Sequence, residues 1–262
     1  MEEEFETTEV SFNEDTGVGY LTMNRPDALN ALSGQLTSDI VAGLKALNGI
    51  NEESVDMRVV VMEGAGGNFS AGADITEFGG GGPVTSVSRS HYRFIMEYPL
   101  PVIAKIRGYC LGGGLETAMS CDFRIAHEDA NLGLPEVDLG LIPGAGGVQL
   151  ISRLVNPSAA KEIAMTGEHI SADRAKELGI LNHVHGDDLD DAVDEFAETL
   201  ASKPPLSIQA IKESGNLASQ VGLEEGLDFD SKLFGPLLGT EDFQEGARAF
   251  SEDDYEPEFK GK

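Results

Sequence analysis

One stretch decides how the fold of this chain is interpreted: Gly108-Tyr109-Cys110-Leu111-Gly112-Gly113-Gly114-Leu115-Glu116. It follows an apolar run at 102–106, which predicts a buried strand. Residues 115–119 then predict a helix. Three glycines ahead of a helix leave several backbone N–H groups unpaired at the positive end of the helix dipole. The stretch therefore predicts a strand, a glycine turn and a helix, with N–H groups available to a ligand.

The same succession recurs around this stretch. Residues 58–62 are rich in valine and lead into a glycine-rich stretch at 64–72, and residues 123–126 predict a further strand. The remaining predicted elements of this part are a strand hairpin at 10–12 and 17–23, a helix capped by Ser33, a loop at 79–82 and a helix at 84–98. Strands that alternate with helices in this way indicate an α/β fold.

From residue 157 onward the pattern is mostly helical. The predicted helices are 159–165, 172–178, 188–202, 205–220, 223–233 and 242–250. A helical tail after an α/β body predicts a core at 1–202 and a separate helical region at 203–262.

Charge excludes several classes of function. The 262 residues include 18 Lys and Arg against 46 Asp and Glu, which gives a net charge of −28. A surface this negative repels phosphate backbones, so nucleic acid is excluded as a partner. No apolar run reaches the ~18 residues of a membrane span, and the acidic start is unlike a signal peptide. We therefore expect a cytoplasmic protein without a membrane partner.

The acidic residues are dispersed along the whole chain. Their mutual repulsion costs stability in dilute buffer, and molar salt screens it. This favours a protein adapted to a salty cytoplasm over an ordinary acidic protein.

Two glycine-rich segments and two glutamates carry the candidate chemistry. N–H groups from the turn at 112–114 and from the segment at 68–75 could converge on one oxygen as an oxyanion hole; the alternative is that the glycines only permit tight packing. Glu116 and Glu136 have apolar neighbours, and burial raises the pKa of a carboxyl group. Such a pair can hold one proton for acid–base work. The alternatives are a carboxylate that complements its own helix dipole for Glu116 and a solvated turn residue for Glu136.

Taken together, these segments resemble the crotonase (enoyl-CoA hydratase/isomerase) superfamily. The matching pieces are 21–26 with 28–32, 69–75, 108–116, Cys121-Asp122, Pro135-Glu136, 140–147, and 239–242 with 245–250. The resemblance implies a crotonase-like spiral of ββα units with a C-terminal all-helical trimerisation region, assembled as a homotrimer or a dimer of trimers. It also implies an acyl-CoA thioester as substrate and an enolate-like intermediate.

The resemblance further implies roles for single residues. The N–H groups of Ala73 and Gly113 would form the oxyanion hole, and Glu116 and Glu136 occupy the two catalytic glutamate positions. The resemblance also implies that substrate would be bound by Ala71, whose carbonyl would meet the adenine, with Asp74, Ile75, Gly144, Phe259 and Lys260. No metal and no cofactor is expected, since CoA is part of the substrate. Lysines that often bind the CoA phosphates in the family are replaced here by Asp27, Gly67 and Thr76.

Two glutamates at these positions favour a 2-trans-enoyl-CoA hydratase, with Glu136 as proton donor to C2 and Glu116 as the group that activates water. The alternative within the family is a Δ3-Δ2 enoyl-CoA isomerase or another acyl-CoA lyase. A non-catalytic homologue is disfavoured because both glutamates are present.

Other enzyme classes are poorly supported by the sequence. The segment at 64–69 fails the G-x-G-x-x-G pattern at Phe69, and no G-x-S-x-G motif occurs. His183 and His185 predict one face of a surface strand rather than a metal site. Cys110 and Cys121 are expected to be buried and unreactive.

Overall fold

The computed structural model describes residues 1–51, 55–78 and 90–262. The strands of these residues are β1 (Glu2–Glu4), β2 (Thr8–Asn13), β3 (Val18–Met23), β4 (Val59–Gly64), β5 (Val102–Ile106), β6 (Tyr109–Leu111), β7 (Phe123–His127), β8 (Asn131–Gly133), β9 (Ile170–Ser171) and β10 (His183–His185). The helices are α1 (Gly34–Asn48), α2 (Ser90–Met96), α3 (Gly113–Ser120), α4 (Gly147–Leu154), α5 (Pro157–Thr166), α6 (Ala172–Leu178), α7 (Leu189–Ala201), α8 (Pro205–Ala218), α9 (Leu223–Leu237) and α10 (Glu241–Ser251).

The larger sheet has the strand order β1-β2-β3-β4-β5-β7-β10. The first three strands pair antiparallel, and every pair from β3–β4 to β7–β10 is parallel. Parallel strands need crossover connections, and α1 joins β3 to β4 in this way. The smaller sheet has the order β6-β8-β9, with β6 and β8 parallel. This small sheet lies next to the predicted site.

Both faces of the larger sheet are buried. Along β4, Val60 and Met62 belong to the main core, whereas Val59 and Val61 face a second cluster closed by α7. Alternate residues of a strand point to opposite faces, so a strand covered on both sides is apolar throughout.

The C-terminal helices α8, α9 and α10 are attached to this body by a largely buried ion pair. Lys212 Nζ on α8 lies 2.7 Å from Asp122 Oδ2 and 2.9 Å from the Leu100 carbonyl oxygen. The three helices keep large apolar side chains in contact with solvent, and Phe250 is 95% exposed. They surround an apolar cavity of about 1000 Å³.

The predicted α/β class and the helical tail are confirmed. Ser33 caps α1 as predicted, since its Oγ accepts a hydrogen bond from the Leu36 N–H at 3.1 Å. The helix predicted at 84–98 is described only as α2, because residues 79–89, including the predicted loop, lie outside the described residues. Helix α4 and the short strands β1, β6, β8 and β9 were not predicted, because segments this short carry no clear periodicity. The boundary at 202/203 stays a prediction.

Candidate active site

The predicted site lies where the loop after β4 meets β6 and the start of α3. The Ser70 N–H donates to the Tyr109 carbonyl at 2.9 Å, and the Leu111 N–H donates to the Ser70 carbonyl at 3.0 Å. These hydrogen bonds join the segment at 68–74 to the glycine turn at 112–114. Two separate glycine-rich segments therefore meet, as the oxyanion-hole hypothesis requires.

The N–H groups of Ala73 and Gly113 lie close together in this region. The Leu32 N–H donates to the Gly72 carbonyl at 2.8 Å and the Asp74 N–H donates to the Leu32 carbonyl at 3.0 Å, so this bridge does not use the Ala73 N–H. Gly113 is the first residue of α3, and its N–H has no carbonyl partner within the helix. A Cβ atom on Gly113 would lie 3.4 Å from the Ala73 nitrogen. The Ala73 nitrogen therefore lies close to the first residue of α3, and the oxyanion hole at this point stays a prediction.

The Glu116 carboxyl group contacts the start of another helix. The side chain is buried, and its Oε1 accepts hydrogen bonds from the Ala145 N–H at 3.0 Å and the Gly147 N–H at 2.6 Å. Gly147 begins α4, so the carboxylate lies at the positive end of that helix dipole. Backbone N–H donors stabilise the charged form of a carboxylate.

Glu136 is in the opposite environment. It lies in the 3-10 turn Pro135–Leu139 after β8 and is half-buried. Its Oε2 is buried without a hydrogen-bond partner among the residues that the structure describes. Desolvation, with a further contribution from the charge of Glu116, raises the pKa of Glu136 to about 7. This carboxyl can therefore hold a proton near neutral pH.

Gly112 allows the Glu136 carboxyl group to pack close to the backbone of the glycine turn. Its φ is +49°, a left-handed conformation that favours glycine. A Cβ atom at this position would lie 2.8 Å from Glu136 Oε1. The carboxyl group therefore packs directly against the backbone of the glycine turn.

Tyr92 on α2 is a site residue that the sequence reasoning missed. Its hydroxyl lies 3.5 Å from the Gly113 carbonyl oxygen and would lie 3.1 Å from a Cβ on Gly113. Burial raises the pKa of Tyr92, and the charges of Glu116 and Glu136 add to the shift. The Tyr92 side chain is therefore neutral, and it lines the site. A tyrosine on a buried helix face gives no sequence signal that separates this position from ordinary core.

The other predicted substrate-binding residues of this part lie around the same segments. The half-buried Ala71 donates its N–H to the Leu29 carbonyl at 3.0 Å. Asp74 forms an ion pair with Arg25, and Ile75 is 58% exposed. Gly144 is half-buried beside the residue whose N–H binds Glu116.

The structure does not bring Phe259 and Lys260 together with the two glutamates. The Phe259 carbonyl accepts a hydrogen bond from Arg58 Nη2 at 2.5 Å, and the Lys260 N–H donates to Asp242 Oδ1 at 2.7 Å. Arg58 immediately precedes β4, whereas the site lies beyond the other end of this strand. A strand of this length spans about 20 Å. The expected contact of Lys260 with substrate stays a prediction, and it would require a site on a second copy.

The two cysteines and the pair His183 and His185 have the surroundings of structural residues. Burial raises the pKa of both the Cys110 and the Cys121 thiols, and both cysteines are free. His183 and His185 lie on β10, which confirms the predicted strand. Within the described ranges, no group of three His, Cys, Asp or Glu side chains could hold a metal ion. No helix of those ranges is long and apolar enough to cross a membrane.

Comparison with known proteins identifies the family of this chain. The family profile described as enoyl-CoA hydratase/isomerase matches residues 13–262. The short-chain-enoyl-CoA hydratase of Clostridium acetobutylicum is 36% identical over 254 residues, which cover 94% of this chain and 96% of that protein. The 2,3-dehydroadipyl-CoA hydratase of Escherichia coli is 36% identical, with 92% and 94% covered. The crystal structure of enoyl-CoA hydratase from Bacillus anthracis superposes with a TM-score of 0.89 at 37% identity, and 98% and 100% of the chains are covered. The chain belongs to the enoyl-CoA hydratase/isomerase family.

Proposed function

We propose that this enzyme is a 2-trans-enoyl-CoA hydratase, which adds water across the C2=C3 bond of an enoyl-CoA thioester. One observation carries the proposal: two glutamates with opposite surroundings lie beside a pair of N–H groups. Glu116 accepts two backbone hydrogen bonds, which suits an ionised carboxylate, and Glu136 has a raised pKa, which suits a proton donor. Its relatives named as hydratases support the same reaction.

In the proposed mechanism, the thioester oxygen accepts hydrogen bonds from the Ala73 and Gly113 N–H groups. Glu116 takes a proton from a water molecule while the water oxygen bonds to C3. Electrons of the C2=C3 bond move toward the thioester and form an enolate, whose negative oxygen the two N–H groups stabilise. Glu136 then donates its proton to C2. A proton passes from Glu116 to Glu136 to restore the starting state.

This chemistry uses only carboxyl and N–H groups of the chain, and CoA arrives with the substrate. A Δ3-Δ2 isomerase needs one carboxyl group to shuttle one proton, so a second carboxyl with a raised pKa would have no part in it. The two-carboxyl geometry therefore favours hydration.

The test is the reaction of purified protein with crotonyl-CoA in molar KCl. We expect loss of the enoyl absorbance and a product heavier by one water. A protein that leaves crotonyl-CoA unchanged but converts a 3-enoyl-CoA to the conjugated isomer would contradict the proposal and establish the isomerase.

We also propose that the chain assembles as a homotrimer or a dimer of trimers through the helical region at 203–262. The support is the apolar surface of α8, α9 and α10, where Phe234 is 62% exposed and Phe250 is 95% exposed. Contiguous apolar surface of this kind marks an interaction site on a soluble protein. Light scattering in molar KCl measures the mass, and a monomer at micromolar concentration would contradict the assembly.

A further inference from the structure

The Ala73 N–H depends on a short backbone connection. Residues 72 and 74 are fixed to Leu32 by the two hydrogen bonds of one isolated bridge, which is not part of a longer sheet. A donor in an oxyanion hole must keep its direction, because a misplacement of about 1 Å can cost a factor of roughly 100 in rate. Besides the bridge, the Gly72 N–H donates to Ser70 Oγ at 3.3 Å, so few hydrogen bonds protect this segment against such a shift.

Arg25 connects the two sides of that bridge. Its guanidinium donates to the Ala31 carbonyl on the Leu32 side and, through Nη2, to Asp74 Oδ2 at 3.0 Å on the Ala73 side. The Arg25 and Asp74 side chains are 24% and 14% exposed, so water competes little for this pair. The planar fork of an arginine suits two simultaneous acceptors.

The position of Arg25 is itself fixed by a closed loop. The Arg25 N–H donates to Asn30 Oδ1 at 2.9 Å, and the Asn30 N–H donates back to the Arg25 carbonyl at 2.9 Å. The Asn30 amide nitrogen also donates to the carbonyls of Ala65 and Asn68 at 2.9 and 2.7 Å. Through Asn30, the backbone of Arg25 is therefore attached to the same loop after β4 whose later residues carry the Ala73 N–H.

Charge gives Arg25 a second effect. Asp74 directly follows Ala73, so without Arg25 a negative carboxylate, bonded only to Thr76 among the described residues, would belong to the same short segment as the donor assigned to the thioester oxygen. Like charges at short distance in a partly buried site oppose each other. Arg25 neutralises this carboxylate.

We propose that Arg25 is a positioning residue of the oxyanion site: it fixes the Ala73 N–H through Asp74 and Ala31 and cancels the charge of Asp74. This inference rests on the proposed function, because it assigns the Ala73 N–H to the thioester oxygen. It predicts that Arg25 acts on the transition state and not on CoA binding.

The experiment compares Arg25→Met, Arg25→Lys, Asp74→Asn and the double variant Arg25→Met/Asp74→Asn. The matched control is Lys105→Met. The Lys105 ammonium group is also largely buried and lies between the carboxylates of Glu63 and Asp190, but it is on the face of the sheet closed by α7. Each variant is measured for kcat and KM with crotonyl-CoA, and for the red shift of the absorption of bound cinnamoyl-CoA. That shift reports how strongly the thioester carbonyl is polarised, without turnover.

We expect Arg25→Met to lower kcat by roughly 10- to 100-fold, with KM within about 3-fold of the wild type, and to reduce the red shift. The double variant should regain part of the lost kcat because the unpaired carboxylate is gone, and Arg25→Lys should fall between Arg25→Met and the wild type. Lys105→Met should keep both kcat and the red shift.

Three results would overturn the inference. Arg25→Met could keep kcat and the red shift and lose only stability, as the Lys105 variant does, or it could raise KM alone, which would indicate a contact with CoA. The wild type could also give no red shift. A wild type that shifts the absorption but does not hydrate crotonyl-CoA would refute the proposed reaction alone, and the red shift of the variants would still decide the role of Arg25.

Discussion

Replacing Glu136 by Gln should stabilise the protein above neutral pH. The same substitution should abolish hydration of the enoyl-CoA substrate. The pKa of this carboxyl is raised from 4.5 to about 7 in the folded protein. Between these two values the folded state binds the proton more tightly than the unfolded state does, so the wild type loses stability as pH rises through this window. Above about pH 7 the Glu136 carboxylate is ionised in both the folded and the unfolded state, and the loss of stability reaches a constant value.

The size of the effect follows from the same shift. A rise from 4.5 to about 7 corresponds to about 3.4 kcal/mol at 1.36 kcal/mol per pKa unit. Glu136 is only half-buried, and solvent screening reduces the value, so we expect about 1–2 kcal/mol. Gln has the shape of the neutral carboxyl group and no charge to bury. The variant should therefore match the wild type in acid and exceed it by this amount in base.

Urea unfolding in molar KCl at equal protein concentration, at several values between about pH 5.5 and about pH 8.5, measures the difference. The control is Asp138→Asn, which makes the same change in net charge on an exposed side chain of the same turn. The control should differ from the wild type by an amount that does not depend on pH. A stability difference for Glu136→Gln that is equally flat would refute the raised pKa, and with it the proton-donor role. If the role is right, kcat/KM of the wild type falls as pH rises through about 7.

Three further outcomes follow from the site and the surface. Glu116→Gln should lower kcat by roughly 10² to 10⁴ and leave the fold intact, because the Gln carbonyl can still accept from the Ala145 and Gly147 N–H groups; circular dichroism and steady-state kinetics check this. Gly113→Ala should lower kcat by at least about 10-fold, since its methyl group would lie 3.4 Å from the Ala73 nitrogen, whereas Gly186→Ala after β10, whose methyl group would lie at least 3.6 Å from its neighbours, should leave kcat unchanged. The melting temperature should rise from dilute buffer to molar KCl, because the net charge of −28 repels itself until salt shortens the screening length to ~3 Å; a flat or falling melting temperature would refute salt adaptation.

The sequence identifies both glutamates as candidates, but it does not predict that they lie close together. Apolar neighbours mark both as candidates, yet Glu116 belongs to α3 and Glu136 to a turn after β8. They come together because β6 and β8 pair in parallel with Leu111 opposite Gly133, so the segments that follow both strands leave the small sheet at the same edge. Pairing of three-residue strands leaves no periodic signal.

The sequence also does not predict which backbone N–H groups a side chain contacts. Glu116 lies in the first turn of its own helix, as the alternative for this residue required, and it also contacts α4, an element that the sequence does not predict. Side-chain type can indicate where a carboxylate is, but not which N–H groups face it. The same holds for Arg25, whose guanidinium has a role only through the loops that fold around it.

We expect the site and the surface to respond differently to salt, which would let an enzyme with few lysines keep its chemistry. Salt screens exposed charges, so molar salt weakens contacts between charged side chains and phosphates. The groups proposed to stabilise charge here are backbone N–H groups at Ala73 and Gly113, and those that hold Glu116 are backbone N–H groups too. Replacing phosphate-binding lysines with Asp27, Gly67 and Thr76 removes contacts that molar salt would weaken in any case. On the proposed function, we therefore expect acidification of the surface to change how CoA is bound without changing the dipoles on which the transition state depends.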